Sequence, residues 1–136
     1  MTLNEFVLKY RGQKVDFDEA YGAQCVDLFR QYCQDVLNIP HTGALRNAQA
    51  KNIWLDYNNM PLEQKYFIKV KGAPRAGDVL VWDGGQYGHV AIFMAMCGSN
   101  YIVFEQDGYK QDGAKISLLT GSGLLGALRK RTRMVV

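Results

Sequence analysis

This 136-residue chain contains three cysteines that could act as nucleophiles, Cys25, Cys33 and Cys97. Cys25 follows the polar run Gly22-Ala23-Gln24 and opens a predicted helix. At a helix N-terminus, unpaired backbone N–H groups and the helix dipole favour the thiolate form of a cysteine. Cys33 falls on the apolar face of the same helix and Cys97 ends an apolar strand beside a turn, so we interpret both as structural. Cys25 is therefore the candidate nucleophile.

A thiolate nucleophile usually works with an imidazole partner, and the chain has two histidines. His41 falls in a loop after the Cys25 helix, at the wrong end of that helix. His89 begins a predicted strand directly after Gly88, so its ring can stand at a sheet edge and face a helix terminus. By elimination, we pair Cys25 with His89.

A third group should orient the imidazole. The strands on either side of residues 97–100 are predicted to pair as a hairpin. A two-residue turn would place Glu105 on the opposite face from His89. A three-residue loop, which is common when glycine is present, would pair Glu105 with Ala91 and Asp107 with His89. We expect the three-residue loop, with Glu105 as the orienting group and Asp107 either as a second polar support or as a solvated edge charge.

The residues before and after Cys25 carry oxygen donors at the spacing of a calcium loop. Relative positions one, three, five, seven and twelve are occupied by Asp16, Asp18, Ala20, Gly22 and Asp27. Ala20 and Gly22 would contribute backbone carbonyls, and Asp27 would close the shell from the first turn of the Cys25 helix. A structural Ca²⁺ ion would hold that helix start in place. The alternative is a solvated loop in which Asp27 serves only the helix dipole. No organic cofactor is expected.

The sequence places helices first and strands second. A Thr2 to Glu5 capping box opens a helix that stops near Gly12. Apolar residues at helical spacing then predict a helix from Cys25 to just before Pro40, and a third helix is expected over 44–57. Strands are predicted over 66–70, 78–82, 89–96, 101–105 and 127–135. The order predicts a single α+β domain over residues 1–136, with helices packed on an antiparallel sheet.

Composition excludes several classes of protein. The chain is 48% hydrophobic and 21% charged, with a net charge of +3, which suits an anionic partner or no charged partner. A nucleic-acid site would need a basic cluster, and the run at 129–133 is better interpreted as a charged edge strand. The N-terminus lacks the pattern of a secretory signal, and the apolar stretch at 90–97 is too short to cross a membrane. We expect a monomer that is made in a cytoplasm, has no nucleic-acid or membrane partner, and is released by another agent.

Four segments of the chain resemble the CHAP domain (cysteine, histidine-dependent amidohydrolase/peptidase) of phage endolysins. They occur in the order of that family, and the resemblance covers nearly the whole chain. The segments are YGAQCVDL at 21–28, PRAGDVLVW at 74–82, GHVAI at 88–92 and FEQDG at 104–108.

The resemblance implies a papain-like α+β fold and cleavage of peptidoglycan, as an N-acetylmuramoyl-L-alanine amidase or as an endopeptidase. It implies catalytic roles for Cys25, His89 and Glu105. Members with an Asp-x-Asp loop bind calcium, which agrees with the spacing described above. The family often has Asn where this chain has Asp107, and no cell-wall-binding domain is recognised in this chain.

These roles predict a thiol mechanism in which the oxyanion meets the backbone N–H of Cys25. The Gln24 side chain either adds a second donor to the oxyanion or caps the loop. Tyr21, Trp82 and Tyr87 are candidates to line a substrate groove, although Trp82 fits the core equally well. The alternative functions are a non-catalytic virion or wall-binding module of the same fold, and an intracellular cysteine amidase or protease.

Overall fold

The computed structural model describes residues 1–17, 24–39, 49–107, 110 and 112–132. Within them it contains four α-helices, one short 3-10 helix at Tyr57–Asn59 and six strands. The helices are α1 (Leu3–Tyr10), α2 (Cys25–Asp35), α3 (Asn52–Leu55) and α4 (Pro61–Tyr66). The strands are β1 (Phe67–Val70), β2 (Val79–Trp82), β3 (His89–Cys97), β4 (Asn100–Gln106), β5 (Ala114–Leu119) and β6 (Leu124–Lys130). Helices precede most of the strands, so the predicted α+β class is confirmed.

Side-chain caps fix the starts of the two longer helices. Thr2 and Glu5 form the predicted capping box at α1: the Thr2 hydroxyl accepts from the Glu5 N–H at 3.1 Å, and the Glu5 carboxylate accepts from the Thr2 N–H at 2.9 Å. At α2 the Asp27 carboxylate accepts from the Gln24 N–H at 3.0 Å. These bonds satisfy backbone donors that have no partner inside the helix. The helix that carries Cys25 therefore begins at the predicted residue.

Other helix predictions were less accurate. The Cys25 helix was expected to end before Pro40, and α2 ends at Asp35, two residues short of the last apolar residue of the period at Leu37. Of the helix expected over 44–57, only α3 and the following 3-10 turn are seen, and residues 44–48 lie outside the described residues. Helix α4 was not predicted; it starts with Pro61 at its first position, where a missing N–H costs nothing. None of the helices in the described part of the chain has the length and apolar character needed to span a membrane.

All six strands form one antiparallel sheet in the order β1-β6-β2-β3-β4-β5. The prediction of a C-terminal edge strand was wrong, because β6 lies between β1 and β2 in the interior of the sheet. The basic run at 129–133 instead contributes to an ion pair with a buried residue. The Arg129 guanidinium binds the buried Asp78 carboxylate through two nitrogens, at 3.0 and 2.8 Å, and Asp78 also accepts from the Arg75 N–H.

The sheet is covered by apolar residues on both faces, which explains why β2 is buried at every position. The larger core lies between the helices and one face, and includes Phe6, Leu28, Phe29, Val81, Val90, Ile92 and Phe104. A smaller cluster on the other face comprises Leu80, Trp82, Ala91, Phe93, Val103 and Ala127. Because side chains alternate along a strand, His89 and Glu105 stand on the face of the smaller cluster.

The hairpin of β3 and β4 reaches the expected face by an unexpected route. Cys97 pairs with Asn100, so the turn has two residues and the predicted three-residue loop was wrong. A β-bulge between Phe93 and Ala95 then shifts the register by one residue. Beyond the bulge Ile92 pairs with Phe104, and one further step puts Glu105 level with Ala91, as expected. The extra residue in the bulge compensates for a turn that is one residue shorter than predicted.

The ion pair of Asp78 with Arg129 generates a stability prediction. Changing Arg129 to Met should lower the free energy of unfolding by about 3 kcal/mol, because it leaves a buried carboxylate without its charged partner. Urea denaturation followed by circular dichroism measures the change. The control is Asp112→Asn, which removes an exposed pair with Lys115 and should have a much smaller effect on stability. Equal losses in the two variants would contradict the interpretation.

Candidate active site

The candidate nucleophile and its imidazole partner come together where the start of α2 meets the start of β3. Cys25 is the first residue of α2, is partly exposed, and lies at the margin of the larger core. His89 is the first residue of β3, against which α2 packs. The thiol of Cys25 lies close enough to the His89 ring to raise its pKa. The structure therefore brings together the two residues that were paired by elimination.

The other side of the imidazole is bound to Glu105. His89 Nε2 lies 2.8 Å from Glu105 Oε1, and Glu105 is only 6% exposed. A carboxylate can only accept, so Nε2 donates and Nδ1 is left for the thiol. Burial acts to lower the pKa of His89, but the hydrogen bonds and charges of Cys25 and Glu105 outweigh it and raise that pKa to about 10. Both neighbours therefore favour the protonated form of the ring.

Glu105 is supported by a strand that the sequence reasoning missed. Burial acts to raise the pKa of Glu105, but hydrogen bonds from His89 and Ser117 and the positive charges of His89 and Lys115 lower it. Ser117 and Lys115 belong to β5, where Lys115 pairs with Glu105 in the ladder. The alternation of polar and apolar residues over 115–118 was the signal for this strand. The support keeps the carboxylate ionised and directed at the ring.

A glycine is required directly before His89. Gly88 has φ of +72°, and a Cβ built there would lie 2.5 Å from the Lys51 Cβ and 2.5 Å from the Trp82 carbonyl oxygen. The Lys51 N–H also donates to the Tyr87 carbonyl at 3.0 Å. Any larger residue would displace the start of β3. Close packing against the start of α3 therefore sets the position of the imidazole.

Of the three aromatic candidates for a substrate groove, the two that the structure describes differ in their surroundings. Tyr87 is 52% exposed and lies just before the imidazole, as expected for a surface residue. Trp82 is buried in the smaller cluster, and its Nε1 donates to the Thr120 carbonyl at 3.0 Å. Its ring centroid lies 6.1 Å from that of His89. Trp82 is therefore a core residue, which was one of the two alternatives, and its ring lies beside the imidazole. Tyr21 lies outside the described residues.

Asp107 follows the last residue of β4 and is partly buried. Its negative charge contributes, after those of Asp112 and Glu105, to the raised pKa of Lys115. Asp107 therefore lies toward the Lys115 side of Glu105. Its role as a polar support of the site stays a prediction.

Two of the five predicted calcium ligands are described. Asp18, Ala20 and Gly22 lie outside the described residues, and His41 does so too. Asp27 is buried and caps α2, with its other oxygen 4.0 Å from Arg30. Asp16 Oδ1 is buried and has no hydrogen-bond partner among the described residues. A buried carboxylate oxygen without a partner is costly unless a donor or a cation satisfies it, so Asp16 fits the predicted site. Within the described residues alone, no group of three acidic, His or Cys side chains could hold a metal.

Sequence reasoning also missed Gln106, which follows Glu105 in β4. Its fully buried side chain donates to the carbonyls of Val15 and Gln24 and accepts from the Val15 N–H. Nothing in the local sequence pattern distinguishes it from other polar residues at strand ends.

A thiol at a helix start, an imidazole and an orienting carboxylate are the components of a cysteine-nucleophile site.

Comparisons with known proteins identify the family of this chain. The family model described as the CHAP domain matches residues 14–107. A D-alanyl-L-alanine endopeptidase of Streptococcus phage B30 is 33% identical over 117 residues, which cover 83% of this chain and 25% of that protein. The chain thus spans about a quarter of the length of this curated relative.

Two solved structures are similar to the whole described fold. The endolysin LysIME-EF1 has a TM-score of 0.65 at 22% identity, over 95% of this chain and 64% of its own. Ly7917 has a TM-score of 0.66 at 18% identity, over 96% of this chain and 63% of its own. The chain belongs to the CHAP domain family and has its α+β fold.

The raised pKa of His89 predicts a pH dependence. Because the folded-state pKa is above the ordinary value of about 6.5, the stabilisation is complete below that pH and is lost as pH rises toward 10. Glu105→Gln should lower the pKa of His89 by about 1 or more. It should also flatten the fall in the free energy of unfolding between these pH values. NMR titration of the His89 ring measures the pKa, with His41→Ala assigning the signals.

The control for this titration is Glu5→Gln, which removes an exposed charge at the start of α1. It should leave the pKa of His89 within a few tenths of the wild-type value. An unchanged pKa in Glu105→Gln would show that the carboxylate does not hold the imidazolium.

Proposed function

We propose that this domain hydrolyses an amide bond of the peptidoglycan stem peptide, as an endopeptidase or an N-acetylmuramoyl-L-alanine amidase. The observation that carries the proposal is the placement of His89 between the Cys25 thiol and the Glu105 carboxylate. The name of the Streptococcus phage B30 relative supports the endopeptidase alternative. The net charge of +3 suits the anionic bacterial wall. The domain would act there as a monomer, after release from the cell that made it or as part of a virion.

The chemistry proceeds in two acyl-transfer steps. The Cys25 thiolate attacks the carbonyl carbon, and a C–S bond forms while the carbonyl electrons move to oxygen. When the C–N bond breaks, His89 gives its proton to the leaving amine. The neutral imidazole then takes a proton from water, which attacks the thioester, and the C–S bond breaks to release the carboxylic acid. The Cys25 thiolate and the imidazolium are restored.

The oxyanion of each tetrahedral intermediate needs donors in fixed positions. Cys25 is the first residue of α2, and the N–H groups of a first helical turn have no acceptor inside the helix. We assign the Cys25 N–H as the main donor, and the Gln24 side chain is the candidate second donor. Glu105 holds the ring in the tautomer and orientation that both proton transfers use.

The nucleophile is tested by three matched changes. Cys25→Ala should reduce hydrolysis of purified peptidoglycan to background, because no other thiol stands beside His89. Cys33→Ala should lower stability but retain activity, since Cys33 is buried in the larger core. Cys97→Ala should change neither, since Cys97 is exposed. Mass spectrometry of the digest identifies the bond: a new N-terminal L-alanine on the stem indicates an amidase, and a new terminus within the peptides or cross-bridges indicates an endopeptidase.

A folded Cys25→Ala protein with wild-type turnover would refute the assignment of the nucleophile. A wild-type domain that binds walls but produces no new termini would instead favour the non-catalytic wall-binding module. Release of intracellular peptide conjugates without wall hydrolysis would favour the intracellular amidase or protease.

We also propose a structural calcium ion held by Asp16, Asp18, Asp27 and the carbonyls of Ala20 and Gly22. The buried Oδ1 of Asp16, which has no partner within the described part of the chain, supports this proposal, as does the burial of Asp27 in the first turn of α2. The ion would neutralise like charges that otherwise repel one another, and would hold the segment that leads into Cys25. It would take no part in the bond-breaking steps.

Chelation should lower both the melting temperature and wall hydrolysis, and calcium should restore both. At a hundredfold excess over its dissociation constant, calcium should stabilise the protein by about 2.7 kcal/mol. Magnesium should be much less effective, because it demands tighter octahedral geometry. Asp16→Asn should weaken calcium binding in isothermal titration, whereas Asp112→Asn should not. No binding at millimolar calcium, with a melting temperature unchanged by chelator, would rule out the ion.

A further inference from the structure

Every polar atom of the buried Gln106 side chain is hydrogen-bonded to the backbone of Val15 or Gln24. Its Oε1 accepts from the Val15 N–H at 2.8 Å, while its Nε2 donates to the Val15 carbonyl at 2.6 Å and to the Gln24 carbonyl at 2.8 Å. The side chain is fully buried. Burying an amide is unfavourable unless its hydrogen bonds are satisfied. These three bonds join β4 to both ends of the segment 16–23.

The bond to Gln24 has a consequence for the peptide unit that follows. The Gln24 carbonyl and the Cys25 N–H belong to one planar trans peptide, in which the two groups point in opposite directions. Gln106 directs the carbonyl toward β4, so the Cys25 N–H is directed away from Gln106. The Asp27 N–H donates to the same carbonyl at 3.0 Å and holds it in the same direction. The peptide unit therefore cannot rotate without losing two hydrogen bonds.

We propose that Gln106 is a positioning residue that fixes the oxyanion donor of the active site. It acts through the Gln24–Cys25 peptide and does not touch the substrate. The inference rests on the proposed roles of Cys25 as nucleophile and of its N–H as donor to the oxyanion. The residue that positions the oxyanion donor thus lies on β4, directly after Glu105, which orients the imidazole.

Two reactions at Cys25 separate this role from a structural one. Acylation by p-nitrophenyl acetate passes through a tetrahedral oxyanion, and its rate is read from the release of p-nitrophenolate. Alkylation by iodoacetamide is a displacement at a saturated carbon, in which no oxyanion forms. Both are measured in a Cys97→Ala background to remove the exposed thiol, with Cys25→Ala giving the background rate. Neither reaction requires peptidoglycan, so the result is independent of the wall substrate.

Gln106→Met is the main variant, because it keeps the length and volume of the side chain but removes its hydrogen bonds. Its acylation rate should fall about 10- to 100-fold, as expected for a misdirected oxyanion donor, while its alkylation rate stays within about twofold of wild type. The control is Phe104→Leu, which perturbs the same face of β4 within the larger core. It should lower stability and leave the two rates in their wild-type ratio.

Wild-type acylation in Gln106→Met, or a parallel fall of acylation and alkylation, would overturn the proposal. The second result would mean that Gln106 only holds the cysteine in place. If Gln106→Met does not fold, Gln106→Leu provides the same test, because leucine also fills the buried space but cannot donate to the Gln24 carbonyl. On peptidoglycan, the same change should lower kcat and leave KM nearly unchanged. Wall hydrolysis absent from the wild-type protein would refute the proposed function without altering the ester result.

Discussion

The site depends on one imidazole that is held from two sides. Glu105 accepts a hydrogen bond from Nε2 of His89, and this leaves Nδ1 for Cys25. The two partners come from different parts of the fold, one from the start of a helix and the other from a neighbouring strand. Inside a largely buried environment, each hydrogen bond is electrostatically stronger than it would be in water. Both neighbours raise the pKa of the ring by more than burial lowers it.

Strand β4 supports both halves of this arrangement. Glu105 and Gln106 are consecutive, so their side chains leave the strand on opposite faces. Glu105 meets the imidazole on one face, and Gln106 meets the backbone before Cys25 on the other. A rigid strand therefore sets the orientation of the base and of the nucleophile peptide together. The support extends outward to β5, where Ser117 and Lys115 hold the Glu105 carboxylate.

Much of the site could be predicted from local sequence, but some of the reasoning was wrong. The start of α2 follows from a cap and an apolar period, which are local effects. Glu105 was placed on the correct face with a three-residue loop, whereas the structure has a two-residue turn and a β-bulge near Met94. A bulge depends on how two strands fit a curved sheet, and it leaves little trace in sequence. The position of β6 inside the sheet depends on pairing with distant strands, so its basic residues were mistaken for edge protection.

The sequence by itself determined which residues could react. It contains two histidines, it places Cys25 at a helix start, and it puts a carboxylate sixteen residues after His89. These are matters of composition, capping and spacing. Tertiary structure alone decided what surrounds them: Ser117 beside Glu105, and Gln106 against Gln24 across 82 positions of sequence. Such contacts join residues far apart in the chain, and burial makes them strong. Their partners are therefore chosen by the packing of the whole sheet, which no local pattern records.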